Sequence, residues 1–211
     1  NAPAGGTLYA TLTRPGLNDE AATAQAMAGL TYNLFDTIAT RSFHLDEHTV
    51  GRVYGGFRFA TIRQDFSSLY NGGDANQGQV STSSNFDGFG PLLGADIAWK
   101  IHNGFHLYAK GSAALMTGDL RNTLNETNNA QQTVYADIDY STRRVIPVTT
   151  LGIGGGWMHE HVTFRVGYEI TNWFGLIDTP RFTGELSEGK FTTRNGDFSL
   201  EGIFVQFGVS Y

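Results

Sequence analysis

The chain has no cysteine, only 5 prolines in 211 residues, and no apolar run as long as a membrane-spanning helix. Without cysteine there is neither a disulfide framework nor a cysteine-based metal site. A transmembrane helix needs about 18 consecutive apolar residues, so the sequence excludes a helical membrane protein. Charged residues make up only 16%, and the net charge of -6 argues against nucleic acid as a partner.

Glycine and aromatic residues, in contrast, are plentiful. The chain has 27 glycines and 13% aromatic residues, and its mean hydropathy is -0.22. Strands of a membrane barrel are half polar, so a low average hydropathy is compatible with a transmembrane β-barrel. The length fits one domain, which we assign to residues 1–211, with residues 1–29 the least defined part.

Residues 162–170 alternate strictly between apolar and polar or small side chains. Successive side chains of a strand point to opposite faces, so one face here is apolar and the other carries Arg165 and Glu169. The alternation returns at 203–211, which ends on Tyr211. Repeated alternation in segments of roughly ten residues, separated by turns, indicates a transmembrane β-barrel.

The connections between the predicted strands alternate in length, as the two rims of an outer-membrane barrel do. Short turns are predicted at 46–48, 102–104 and 159–161, and long polar loops at 67–82, 122–133 and 178–196. Between them we predict strands at 30–45, 49–65, 84–101, 105–119, 134–158, 162–173 and 198–211. Residues 7–13 are a candidate eighth strand, since such barrels usually have an even strand number.

The predicted fold class is therefore an all-β, antiparallel transmembrane barrel of about eight strands, or more if strands precede this sequence. Residues 17–28 are predicted as a helical turn or a loop. Pro91 and Pro147 fall inside predicted strands, where proline removes a ladder donor. We expect bulges at 89–91 and 145–147 that help the sheet to curve.

The polar face of the predicted strands carries charges of both signs. These predicted lumen-lining residues are Arg58, Asp96, Lys100, Lys110, Arg144, Arg165 and Glu169. A barrel of about eight strands is just wide enough for its side chains, and an unpaired buried charge costs several kcal/mol. The charges therefore either pair into a network that fills the lumen or, in a wider barrel, line a conducting constriction. A catalytic carboxylate site is a third alternative without support from the spacing.

The apolar face, together with aromatic residues near the strand ends, is predicted to meet lipid or the membrane interface, where tryptophan and tyrosine concentrate. These residues are Phe57, Trp99, Trp157, Phe164, Tyr168, Trp173, Phe207 and Tyr211. The alternative is that they are ordinary core aromatics.

Motifs for catalysis or cofactor binding are weak. His159 and His161 flank a predicted turn, but zinc needs further ligands that the sequence does not place. The glycine-rich run 152–156 lacks the Lys-Ser/Thr and the helix of a phosphate loop, so small residues that ease crowding in the lumen or let the strand bend are the better explanation. We predict no enzyme activity, no cofactor and no metal.

Several motifs resemble the family typified by the Legionella major outer membrane protein. The run Phe86-Asp-Gly-Phe-Gly-Pro-Leu-Leu-Gly-Ala-Asp96 is similar to a family strand that opens on Phe-x-Gly-x-Gly-Pro. Further similarities are Tyr54-Gly-Gly-Phe-Arg-Phe-Ala60, Ala113-Ala-Leu-Met-Thr-Gly-Asp119, and Val145-Ile-Pro-Val148 followed by Gly167-Tyr-Glu169 and Trp173. The resemblance covers about residues 49–211.

The resemblance implies a bacterial outer membrane of the Gram-negative type and a porin-like or structural role, and it carries over no catalytic residues. The final strand looks like the signal that the barrel-assembly machinery reads by edge pairing. Expected partners are outer-membrane lipid, this machinery, and another copy of the chain or an envelope protein. The alternatives are a soluble lipocalin-like ligand-binding barrel, with apolar side chains inside, and an outer-membrane barrel enzyme.

Overall fold

The chain consists of strands and turns in the residues that the computed structural model describes, which are 2, 6–10, 12–13, 16, 20–182 and 191–209. The strands are β1 (Leu8–Tyr9), β2 (Glu20–Ala21), β3 (Thr23–His44), β4 (Thr49–Gly72), β5 (Ala75–His102), β6 (Phe105–Asn128), β7 (Thr133–His159), β8 (Val162–Phe182) and β9 (Phe191–Val209). No helix in these residues is long and apolar enough to cross a membrane.

Strands β3 to β9 form one sheet in chain order, and every neighbouring pair is antiparallel. This confirms the predicted all-β, antiparallel fold. The prediction that residues 7–13 supply an eighth strand of the barrel is wrong, because Leu8 pairs with Ala21 in a separate two-stranded sheet. Leu12 packs beside Tyr70 and Val80, so this segment covers one end of the large sheet.

The predicted long loops are mostly strand. β4 and β5 continue to Gly72 and from Ala75, so residues 67–82 form the arms of a hairpin rather than a loop. Likewise, β6 and β7 pair up to Asn128 and Thr133. Polar side chains on both faces removed the period-two signal there, yet the backbone hydrogen bonds of a strand do not need it. The sheet also starts at Thr23, so the prediction of a helical turn or loop is wrong for residues 23–28.

The tight turns lie at the predicted positions, which confirms that prediction. Asn103 and Gly104 form a two-residue connection with φ of 50° and 84°, the backbone of the favoured hairpin turns. In the turn between β3 and β4, the Asp46 carboxylate accepts hydrogen bonds from the backbone N–H groups of His48 (2.8 Å) and Thr49 (2.7 Å). The bond from His48 is the largest influence that lowers the pKa of Asp46 below its usual value.

Neither proline lies at a bulge, so those two predictions are wrong. Pro91 pairs in register with Phe57, and Pro147 with Leu115. Each proline instead lies where one of its two ladders is interrupted. The pairing of β7 with β8 reaches only Val148, and the pairing of β5 with β6 skips Pro91. A missing N–H costs little at such positions.

The register of β8 against β9 shifts at the point where β8 stops pairing with β7. The shift lies between Trp173 and Ile177, around Gly175 with φ of 71°. Beyond this point the β8–β9 hairpin separates from β7, and Leu176 is buried, with 1% of its surface exposed. The sheet thus curls inward, and Tyr32 of β3 contacts Trp173 of β8 and Phe198 of β9.

Candidate membrane band and lumen

The outward face of the sheet is a largely apolar band near the tight turns. Along three neighbouring strands it runs from Phe89 to Ile101, from Phe105 to Leu115, and from Val145 to Trp157. Its exposed members include Phe57, Phe59, Phe89, Leu93, Ile97, Leu107, Leu115, Leu151, Ile153, Val166, Ile203 and Val205. Each stretch is close to the ~9–11 residues that a transmembrane strand needs. An apolar surface this continuous needs an apolar environment.

The same outward face becomes polar beyond the band, on the long-hairpin side. On β6 and β7, Asp119 and Arg143 lie on the outward face beyond the band and form an ion pair of 3.0 Å. On β4 and β5, Thr61 donates a hydrogen bond of 2.8 Å to Asp87. An apolar band followed by exposed ion pairs is the order expected for a strand that leaves hydrocarbon for water.

Among the described residues, the inward face carries four ion pairs. Arg58 donates two hydrogen bonds of 2.8 Å to Asp36, from Nε and Nη2. A bidentate pair of this kind is among the strongest that side chains form. The other three pairs are Arg52–Asp96 at 2.6 Å, Lys110–Glu169, and Arg144–Asp178 at 2.7 Å.

Small residues create the space for these side chains. Lys110 crosses over Gly152 of β7 to reach Glu169 of β8, and a Cβ atom on Gly152 would lie 2.8 Å from the Lys110 Cε atom. The Lys110 ammonium also lies 4.1 Å from the centre of the Phe204 ring of β9, within the range of a cation–π contact. The glycine run of β7 therefore serves the packing of the lumen, as predicted.

Arg144 fills the gap that opens between β7 and β8. Its guanidinium donates to the Gly175 carbonyl (3.3 Å) and to the Asn195 side chain (3.1 Å), in addition to Asp178. Tyr140 lies next to this pair, outside the apolar band. Burial, reinforced by the charge of Asp178, raises the pKa of Tyr140 to about 12.

Between the ion pairs the interior is packed with apolar side chains. Trp173, Phe86, Leu92 and Met116 are each 0–1% exposed. In the part of the chain that the structure describes, the buried members of this cluster are Ala60, Ile62, Phe86, Leu92, Ala114, Met116, Leu120, Ile146, Val148, Trp173 and Leu176. Trp173 sits at its centre, with edge contacts to Tyr32 and Phe86 at 6.1 Å and an Nε1–H donated to the Tyr32 hydroxyl at 3.2 Å.

The predicted lumen-lining residues lie on one side of the sheet. Arg58, Asp96, Lys110, Arg144 and Glu169 take part in the ion pairs described above. Arg165 shares their face, with its guanidinium 5.1 Å from the centre of the Tyr108 ring. Lys100 lies exposed near the end of β5. Whether these side chains line a path for solutes stays a prediction.

Three partners in these ion pairs, Asp36, Asp178 and Arg52, were not among the predicted lumen-lining residues. Asp36 lies on β3, where the alternation is blurred, and Asp178 lies in a segment predicted as a loop. Arg52 could have been found, because it has the same parity as Arg58 on the same strand.

The predicted lipid-facing aromatics divide into two groups. Phe57, Trp99, Trp157, Phe164, Tyr168 and Phe207 are 36–68% exposed on the outward face, and their contact with lipid stays a prediction. The prediction of lipid or interface contact is wrong for Trp173, which is fully buried inside. Trp173 lies an odd number of residues from the outward Tyr168 on the same strand, so its side chain points to the opposite face. This alternation outweighs its position near a predicted strand end. Tyr211 lies outside the described residues.

The described residues contain no group of three or more His, Cys, Asp or Glu side chains that could hold a metal ion. His159 stacks on Trp157 with ring centres 5.6 Å apart, which accounts for one member of the histidine pair in the turn.

A family model described as Legionella pneumophila major outer membrane protein precursor matches residues 9–211. Comparison with curated proteins gave no match, and comparison with solved structures gave none. The family match confirms the predicted resemblance and extends it over the N-terminal quarter of the chain.

Proposed function

Because the chain belongs to the family of the Legionella pneumophila major outer membrane protein and is therefore a protein of the bacterial outer membrane, we propose that it is a structural barrel without catalytic activity. It anchors polar hairpins in the membrane and presents them on the far side of the apolar band. The observation that supports this proposal is the packed interior, where the apolar side chains clustered with Trp173 are almost completely buried, as in a narrow barrel that is filled by its own side chains.

The soluble lipocalin-like alternative does not agree with the geometry or with the family. A soluble barrel turns its apolar face inward and its polar face to water. Here Leu151, Ile203 and Phe207 are exposed on the outside, at 65–80%, while Arg58 and Asp36 pair on the inside.

Conductance in planar bilayers tests the proposal. The refolded chain should insert without steady conductance steps, because ions have no path past the buried cluster. Arg58→Gln and the matched control Arg63→Gln, which changes an exposed outward charge, should leave this background unchanged. Steady steps in the parent chain, with an ion selectivity altered by Arg58→Gln alone, would refute the structural proposal.

Porin-like passage of small solutes is the second candidate, and the sheet edges favour it. Within the described part of the chain, β3 and β9 do not pair with each other. Unpaired backbone groups are not tolerated in hydrocarbon, so further strands between these edges would close the barrel and widen it. On the inward face of β3, Leu34 and Ile38 are 37% and 46% exposed, as expected of residues beside a wider lumen.

Cysteine labelling separates the two candidates, because the chain has no cysteine of its own. In vesicles, a charged thiol reagent should modify Leu34→Cys if water fills the lumen, whereas Phe35→Cys on the outward face of the same strand should be protected by lipid. Protection of both positions would favour the structural barrel.

For assembly, we propose that β9 is the strand that the barrel-assembly machinery recognises. It is an edge strand in the described sheet, with Ile203, Val205, Phe207 and Val209 on its outward face. Phe207→Asp should reduce the amount of folded protein in cells more than Gln206→Asp does. Equal yields of the two variants would contradict this role.

A further inference from the structure

A cavity of about 500 Å³ opens at the tight-turn end of the lumen. Asn103 of the turn contributes an amide, and the other polar side chains, which come from the ends of four strands, are cationic or imidazole groups. These side chains are His44, Lys100, His102, His106 and Arg165, accompanied by the apolar Val50, Ile101, Phe105 and Met158. No aspartate or glutamate of the described residues lines it.

Arg165 differs from the inward cations outside this cavity. Arg52, Arg58, Lys110 and Arg144 each have a carboxylate partner. Arg165 forms no ion pair with the described residues, and its Nε atom is buried without a hydrogen-bond partner. Burial of a charged donor without a hydrogen-bond acceptor costs free energy, so the unpartnered Nε atom indicates that an acceptor is missing.

His106 provides a second, independent sign of a missing ligand. The side chain is only 6% exposed, and its Nε2 atom is buried without a partner in the described structure. Its Nδ1 atom lies 3.4 Å from the Gly104 carbonyl oxygen. Because a carbonyl oxygen only accepts, Nδ1 carries the proton there, and Nε2 is left to accept a hydrogen bond, as from the P–OH group of a phosphate. A Cβ atom on Gly156 would lie 2.5 Å from His106 Nε2 and 2.9 Å from Arg165 Cγ, so the two side chains share one small area of the wall.

The carboxylates nearest in sequence have partners elsewhere or lie in the turns. Asp96 pairs with Arg52, and Glu169 pairs with Lys110. Asp46 accepts three hydrogen bonds within its own turn, from His48 and Thr49. Glu47 and Glu160 lie at exposed turn positions. The cavity therefore keeps an excess of positive charge in a partly enclosed space, where electrostatic attraction is strengthened relative to open water.

We propose that this cavity binds a phosphate group. Arginine presents a planar fork of N–H donors that suits phosphate oxygens, and lysine adds a mobile point charge. The phosphate belongs either to a small soluble ester or ion, or to a phospholipid headgroup whose acyl portion contacts Phe105 and Met158. The site does not depend on whether solutes cross the barrel.

The first test is a calorimetric titration of the intact chain in a neutral detergent with inorganic phosphate. Binding should saturate and weaken with salt. Arg165→Gln should lower the affinity about tenfold or more, because a charge-assisted hydrogen bond is lost. The matched control Arg63→Gln removes the same charge from the outward face and should have no effect. Lys100→Gln, at an exposed position that folding tolerates, should lower the affinity as well.

The second test identifies the source of the phosphate by native mass spectrometry. Retention of phosphatidylglycerol, but not of a diacylglycerol with the same chains, would assign the site to a lipid headgroup, whether or not inorganic phosphate binds. Saturable binding of inorganic phosphate without lipid retention would assign it to a soluble ligand. The proposal is overturned if neither probe binds, or if Arg165→Gln and Arg63→Gln weaken binding equally.

Discussion

Trp173 offers the sharpest test of the packed interior. Trp173→Ala removes a side chain that is fully buried and that contacts Tyr32 and Phe86. Removal of a buried aromatic side chain typically costs about 3–5 kcal/mol, since a cavity replaces its contacts. The hydrogen bond to the Tyr32 hydroxyl contributes about 0.5–1.5 kcal/mol of that cost. Trp173→Phe keeps most of the ring and should lose about 1–2 kcal/mol.

The assay is urea unfolding of the refolded protein in detergent micelles, followed by circular dichroism and by the mobility of the folded band in electrophoresis. The midpoint should fall while the slope stays constant, because the surface exposed on unfolding hardly changes. Trp99→Phe is the control, since Trp99 is 57% exposed on the outward face, and it should change stability by less than about 0.5 kcal/mol. A loss below about 1 kcal/mol for Trp173→Ala would refute a solid core, because a water-filled lumen leaves no such cavity.

Three further predictions concern the band, the lumen and the polar hairpins. Leu151→Arg places a charge on the outward face of the band and should lower the free energy of unfolding in lipid vesicles by about 2–4 kcal/mol. The control Ser141→Arg is outward but beyond the band and should cost about 0.5 kcal/mol at most. Equal costs would argue against lipid contact. Arg58→Met leaves the Asp36 carboxylate without its partner and should cost roughly 1–3 kcal/mol, and addition of Asp36→Asn should recover part of this loss in a double-mutant cycle. The folded pKa of Tyr140 is raised to about 12, above its ordinary value of 10.0, so its contribution to stability is complete below pH 10 and is lost as the pH rises toward 12. Ultraviolet absorbance should show this late titration, and Tyr140→Phe should lower its amplitude by one tyrosine.

The parity of each strand, meaning which of its side chains share a face, could be predicted from the sequence, and most of the fold follows from this alternation. The alternation at 162–170 and 203–211 identifies the strands, and in the structure Phe164 and Phe207 lie on one face and Arg165 on the other. Parity works because a side chain of a strand can point in only two directions. It failed only where another rule was given more weight, as for Trp173.

The arms of the polar hairpins could not be predicted in this way. Serine, threonine and asparagine occupy both faces of residues 67–82, so the sequence has no period there. The strands continue nonetheless, because the hydrogen bonds of a ladder belong to the backbone and extend from Ser67–Ser81 to Tyr70–Gly78.

The sequence by itself determined that this chain forms strands with an apolar side and a charged side, because that property is local and repeats every two residues. Only the tertiary structure decided which charges meet. The pairing of β3 with β4 places Asp36 opposite Arg58. The curl of the sheet brings Tyr32 of β3 to Trp173 of β8, which lies five strands further along the sheet order. The same curl leaves Arg165 without a carboxylate among the described residues, since the distance between side chains on different strands depends on register and curvature, which no single segment encodes.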